Sequence, residues 1–266
     1  MTSKDQMMKK KSLKILSAAL LIGLSGAASA ASTSWSFTST ATSSVSASGF
    51  ASQVAEYSAM TYTNGAGNSV TMNAFANTAS NAKIEAAYLN YQGSSGLGVT
   101  SRDSSTNDEV TSSGYLNNPQ HSFDNQGAVE SILFSFSSAF TMEQLDIGWS
   151  TNDSDLQLYA YTSSTPFSTS TVLGKDYSTL TGWTKVGDFT GPTDPRLTTN
   201  STYSRYWLVT PGPASDKLDY IKLAGITGSY KPTTPPPSTG VPEPESLALV
   251  GVALAGMLLT RRRKLV

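Results

Sequence analysis

The chain has 266 residues, 38% of them hydrophobic and 14% charged, which is enough to build one good core once its ends are discounted. It has no cysteine, which excludes a disulfide framework, a thiolate metal site and cysteine catalysis. The formal net charge of -1 hides a split: nine of the 18 Lys and Arg lie in the two ends, so residues 31–260 carry nine basic against 18 acidic side chains, a net charge of -9 that argues against nucleic-acid binding through phosphates.

Roughly a quarter of the residues are Ser or Thr, with frequent Gly and Asn, a composition that favours strands and turns over helices. At the N-terminus a basic stretch (Lys4, Lys9, Lys10, Lys11, Lys14) precedes the apolar run Ile15 to Leu24 and the small residues Gly26 to Ala30. That order is a secretory signal helix, with Ala28 and Ala30 as the small residues a signal peptidase accepts and cleavage after Ala30. A buried amphipathic helix would need a polar face that this run lacks.

Residues 31–49 form a Ser/Thr/Ala tract in which Trp35 and Phe37 alternate with Ser, the start of an edge strand that is expected to dissolve into a flexible segment. A β domain is expected over residues 50–229. Ser69 to Ala76 alternates apolar and polar residues at period two, and Lys83 to Leu89 reads as a strand, although its Ala content also suits a helical turn. The clearest strands are Val129 to Phe136, Met142 to Trp149 and Leu156 to Tyr161, read as consecutive antiparallel strands separated by Ser138 to Phe140 and by Thr151 to Asp155. Trp183 to Phe189, Tyr206 to Thr210 and Tyr220 to Ile226 follow, divided by turns such as Gly191 to Pro195. Short strands punctuated by Gly, Pro, Asn and Asp predict an all-β, antiparallel sandwich or jelly roll.

Residues 230–240, rich in Pro and Thr, read as an extended linker. The tail, residues 241–266, has three parts: Val241-Pro242-Glu243-Pro244-Glu245-Ser246, the apolar run Leu247 to Leu259, and the basic cluster Arg261, Arg262, Arg263 and Lys264. Thirteen helical residues reach only about 20 Å against roughly 30 Å of hydrocarbon, so this short transmembrane helix spans only with local thinning. The Arg cluster holds its end on the cytoplasmic side and leaves residues 31–240 outside the inner membrane.

The order of motif, short apolar helix and basic cluster resembles the PEP-CTERM sorting signal of bacteria with exosortase systems, whose defining tripeptide is Pro242-Glu243-Pro244; Glu245 departs from the small polar residues that usually follow. The resemblance implies recognition by an exosortase-type membrane transpeptidase and removal of the tail. A plain tail anchor explains the helix and the basic end but not the Pro-Glu-Pro. The stretch Gly96-Leu97-Gly98-Val99, Asp108-Glu109, His121 to Gly127, Glu130 and Ile132 to Phe136 also resembles exosortase-dependent surface proteins, which implies an all-β exported domain over roughly residues 60–228 and no defined chemistry.

His121 is the only histidine, and a hydrolase would need it with Asp124 or Glu130 and a serine. No G-x-S-x-G elbow is present, and in so Ser-rich a chain a nearby serine carries no weight, so His121 is read as a hydrogen-bonded loop residue and no enzyme is expected. Asp124, Asn125 and Glu130 beside His121, and separately Asp153 and Asp155 in Asn152-Asp153-Ser154-Asp155, offer oxygen ligands of the kind that hold Ca²⁺ in extracellular β domains. The second group lacks the remaining spacing of an EF-hand and is equally an ordinary Asx-rich turn. Trp149, Trp183, Trp207 and the twelve tyrosines offer a stacking platform for sugars, although strand alternation places aromatics in the core first. The expected function is an exported surface or matrix protein associated with exopolysaccharide in a biofilm, the alternative a carbohydrate-binding or calcium-dependent adhesion module.

Overall fold

The computed structural model describes residues 31–47, 56–79, 82–101, 121–191, 194–213, 215, 219–232 and 249–254. Among the described residues of the first unit there are thirteen strands: β1 (Ser32–Ser36), β2 (Ser43–Ser46), β3 (Glu56–Thr63), β4 (Ser69–Ala79), β5 (Lys83–Tyr91), β6 (Leu97–Thr100), β7 (Phe123–Asp124), β8 (Glu130–Asn152), β9 (Leu156–Tyr161), β10 (Trp183–Phe189), β11 (Arg196–Leu197), β12 (Ser204–Pro211) and β13 (Asp219–Tyr230). All their pairings are antiparallel, as strands joined by short turns allow. The β3–β4 turn shows the local chemistry: Asn64 Oδ1 accepts the amides of Ala66 and Asn68, and Gly67 takes φ +80°.

The sheet runs in the order β1-β13-β6-β5-β3-β4-β8-β12-β9-β10, and the further pairings of β13 with β8 and of β5 with β4 close part of this path on itself. The strand that makes this possible is β8, 23 residues long. Its first half, Glu130 to Phe136, pairs with β4, and within it Ile132 to Ser135 pair with β12 on the other side. Its second half, Phe140 to Asn152, runs along almost all of β13. Ser138 to Phe140, expected to be a separating turn, is instead strand. It holds neither Gly nor Pro, and Phe140 is fully buried against Phe136, with ring centroids 4.2 Å apart. Val129 to Phe136 and Met142 to Trp149 are therefore halves of one strand and not a hairpin, and β9 pairs with β12 and β10.

Alternation along the strands separates two apolar clusters. Val70, Met72, Ile132, Phe134, Phe136, Trp207 and Val209 face the main core with Trp35, Phe37 and Phe140. Phe75, Leu133 and Leu208, at the intervening positions, face a second cluster closed by Val172 and flanked by Phe167, Tyr177, Leu180 and Trp183. The connection between β9 and β10 thus covers the second face of the β4–β8–β12–β9 layer. With both faces covered, side chains on both sides of these strands are buried.

The Ser/Thr tract 31–49, expected to be flexible beyond its first residues, contributes two strands: β1 pairs with β13 over five residues and buries Trp35, and β2 pairs with β3. Lys83 to Leu89 is strand and not a helical turn. A second unit begins at Pro232. Besides Pro232, its described part is a helical stretch at 249–254, whose Leu249, Val250, Val252 and Leu254 are exposed. Among the described residues no helix is long and apolar enough to cross a membrane, and the expected signal helix lies outside them. The short C-terminal transmembrane helix therefore rests on the sequence run Leu247 to Leu259 alone.

Candidate acidic centre and sorting signal

The two loops picked out as calcium candidates meet at a residue that belongs to neither. Asp219, fully buried at the first position of β13, accepts from Asn125 Nδ2 at 2.7 Å through Oδ2 and from the Asp155 amide at 2.7 Å through Oδ1. Its own amide donates to Asn125 Oδ1 at 3.2 Å. Asp153, Asp155 and Asp219 each bring a carboxylate oxygen within 4.8 Å of the other two. Gly212 closes one side, where a Cβ would stand 2.5 Å from Asp219 Oδ2 and 2.7 Å from Asp155 Cβ. A side chain at that position would expel the carboxylates.

The electrostatics of this centre are unbalanced. Burial pushes the Asp155 carboxyl up, the Gly191 amide, which donates to it at 2.7 Å, pulls it down, and the neighbouring Asp153 carboxylate raises it again. Arg196 is buried beside the group, but its two Nη groups donate elsewhere: Nη1 to Thr190 O at 2.8 Å, and Nη2 to Ser154 O and Oγ, each at 2.9 Å. Burial lowers the affinity of Arg196 for its proton, and the surrounding carboxylates, Asp155 first, oppose that. One buried cation thus faces three clustered carboxylates, the arrangement that a divalent cation or a shared proton relieves.

Asp124 and Glu130, expected in the same ligand set as Asn125, form a separate pair. The Asp124 amide donates to Glu130 Oε2 at 3.0 Å, while Ser122 Oγ and the Gln126 amide donate to the Asp124 carboxylate at 3.1 and 2.9 Å. Burial raises the Asp124 pKa to about 7 against these donors. His121 has a positive φ of 64°, its Nδ1 lies 3.2 Å from Thr100 Oγ1, and its carbonyl occupies the space where a Cβ on Gly98 would stand. Ser122 Oγ commits its proton to the Asp124 carboxylate.

Trp149, Trp183 and Trp207 do not share a platform. Trp207 is fully buried and its Nε1 donates to the carbonyls of Phe140 and Ser204. Trp149 is capped by Lys222, whose Nζ lies 4.8 Å from the ring centroid. Trp183 packs edge-on against Tyr161 and Phe167 in the second cluster. Asp219 was not singled out by the sequence; the one local sign is a lone acidic residue opening the apolar run Tyr220 to Ile226.

Ala28, Ala30, Pro242, Glu243, Pro244, Arg261, Arg262 and Arg263, the residues expected to direct processing, lie outside the described residues. No curated protein and no solved structure matches the chain. Residues 240–264 match the PEP-CTERM protein-sorting motif, and the chain is on that evidence an exported protein that carries a sorting signal for processing by an exosortase.

Proposed function

We propose that this protein is a structural component of the cell surface or extracellular matrix, delivered outside by a signal peptidase and an exosortase-type transpeptidase and held in exopolysaccharide as part of a biofilm. The observation that carries the reading is the sorting motif at 240–264, placed directly after a Pro/Thr-rich segment that follows the last strand. The signal peptidase acts after Ala30. The apolar run from Leu247 holds the precursor in the inner membrane, with Arg261, Arg262 and Arg263 on the cytoplasmic side, until the transpeptidase removes the tail near Pro242-Glu243-Pro244. The exported domain is a β-sandwich in which β8 passes from one layer to the other, and the nine basic against 16 acidic side chains of residues 31–242, a net charge of -7, keep it soluble and self-repelling. No catalytic role is proposed for it.

The intact mass and terminal peptides of the protein recovered from the outside of its native cells test the processing. A chain beginning near Ala31 and ending near Pro242 is expected; one that keeps Leu247 to Val266 overturns the processing. Release of the protein into the medium by a strain that makes no exopolysaccharide tests the matrix association, and unchanged retention rejects it.

A second reading, a calcium-dependent adhesion module, is favoured by the packing of the Asp153, Asp155 and Asp219 carboxylates within 4.8 Å of one another. Titration with Ca²⁺ followed by the thermal midpoint decides it. A rise that Asp153→Asn abolishes supports the ion, and an unchanged midpoint at millimolar Ca²⁺ removes it.

A further inference from the structure

One groove of about 480 Å³ lies between the start of the β9–β10 connection and the entry to β12, a size that suits a small ligand. Its walls combine rings (Tyr203, Tyr206, Phe167) with hydroxyls and carbonyls of the segment Thr162 to Thr165, and its one charged lining residue among those described is Arg205. Among the described residues no carboxylate lines it, although residues 31–242 carry nine basic against 16 acidic side chains, a net charge of -7. A lone cation in a groove of an acidic domain is a selective feature, because the surrounding field repels anions that Arg205 does not hold.

The local backbone explains why these side chains are presented together. The β12 register shifts between Ser204 and Tyr206. Ser204 Oγ accepts the Tyr206 amide at 3.0 Å and lies 2.8 Å from the carbonyl of Tyr161, which fixes the irregular turn of chain. Bulges of this kind redirect side chains at binding sites. Phe167 stacks on Tyr206 with centroids 4.0 Å apart, so that ring pair forms a rigid wall. Tyr203 is 36% exposed and makes no ring contact among the described residues. Arg205 donates through Nε to Phe136 O at 3.3 Å and lies 5.7 Å from the Tyr206 centroid. Its two Nη groups make no hydrogen bond among the described residues, which leaves the fork that matches a carboxylate open.

We infer that this groove binds an acidic saccharide, a uronate residue whose carboxylate pairs with Arg205 and whose ring face lies on Tyr203. A flat aromatic supplies the apolar contact a pyranose face needs, the Ser and Thr wall supplies hydrogen bonds to its hydroxyls, and the guanidinium selects the charged sugar over a neutral one. The inference rests on the exopolysaccharide association proposed above and names the chemistry of its partner.

Calorimetric titration of the full chain with trigalacturonate and, separately, with neutral galactotriose tests it. Trigalacturonate is expected to bind at least fivefold more tightly than galactotriose. Tyr203→Ala is expected to weaken both by at least fivefold, and Arg205→Gln to remove the preference for the acid. Both residues are exposed, and an unchanged urea midpoint in each variant shows that the fold is kept. No binding of trigalacturonate, equal binding of the two trisaccharides, or wild-type binding by Tyr203→Ala and Arg205→Gln overturns the inference. The terminal peptides of the exported protein and its retention by exopolysaccharide are read in parallel. Correct processing and exopolysaccharide-dependent retention without trigalacturonate binding reject the groove alone, whereas retention that is unchanged in the strain without exopolysaccharide rejects the broader reading.

Discussion

Asn125 and Asp219, 94 positions apart, hold each other from both ends: the Asn125 amide donates to the Asp219 carboxylate at 2.7 Å, and the Asp219 backbone amide donates back to the Asn125 carbonyl at 3.2 Å. The pair fastens the loop after β7 to the first residue of β13. Removing the amide takes a donor from a carboxylate that is fully buried, which costs more than an ordinary hydrogen bond. Asn125→Ala is expected to lower stability by roughly 2–3 kcal/mol in urea unfolding. Asn125→Asp, which adds a fourth carboxylate to the centre, is expected to cost more at pH 8 than at pH 5, and equal losses at the two pH values would count against the electrostatic account.

Asp124 gives the domain a pH dependence of known sign. Burial raises its pKa from 3.8 to about 7, so the folded protein holds this proton more tightly than the unfolded chain. Its contribution to stability is fully present below about pH 4, falls as the pH rises from about 4 to about 7, and is level above that. Asp124→Asn keeps the shape and, through its one oxygen, the Gln126 contact, while its Nδ2 faces Ser122 Oγ as a donor, and it has no ionisable group. The difference in unfolding free energy between wild type and variant is expected to change by roughly 1.4 kcal/mol per pH unit inside the window and to be constant above it. A difference that does not vary between pH 4.5 and pH 8 rejects the assignment.

Two glycines separate close approach from mere loop composition. Gly96 takes φ +93°, and a Cβ there would stand 2.0 Å from Leu223 O, on β13. Gly65, in the β3–β4 turn, has nothing within 4 Å. Gly96→Ala is expected to abolish folding or lower the thermal midpoint by well over 10 °C, while Gly65→Ala changes it by a few degrees at most. Similar midpoints for the two variants would show that β6 does not lie so close to β13.

Most of the strands were legible because one period carried them: Ser69 to Ala76 and Trp183 to Phe189 begin where β4 and β10 begin. The β8 strand was hidden because Ser138 and Ala139 suit a turn as well as a strand, and only the burial of Phe140 decides between them. The placement of the tryptophans was hidden for a different reason. Alternation assigns Trp207 and Leu208 to opposite faces, but both faces of β12 are covered, so period two does not say which is wet. The acidic centre joins Asn125 to Asp219 across 94 positions, a distance no local pattern spans, whereas the sorting signal is a linear motif that an enzyme reads as sequence.

Phe140 is where the long strand and the main core depend on each other, and truncating it measures how much the continuous β8 is worth. Its ring is fully buried, 4.2 Å from Phe136, 5.4 Å from Trp35 and 5.3 Å from Tyr230 between centroids, so it links β8 to the β1 and β13 side chains. Its carbonyl separately accepts from Trp207 Nε1 at 3.0 Å, a contact that a side-chain truncation leaves in place. The loss in Phe140→Ala is therefore one of packing, expected at about 3–5 kcal/mol, with Phe140→Leu costing less than half of that. Were Phe140 part of a surface turn, both variants would unfold within about 0.5 kcal/mol of wild type. Urea unfolding of the three proteins distinguishes a strand that runs through the core from two strands joined at its edge.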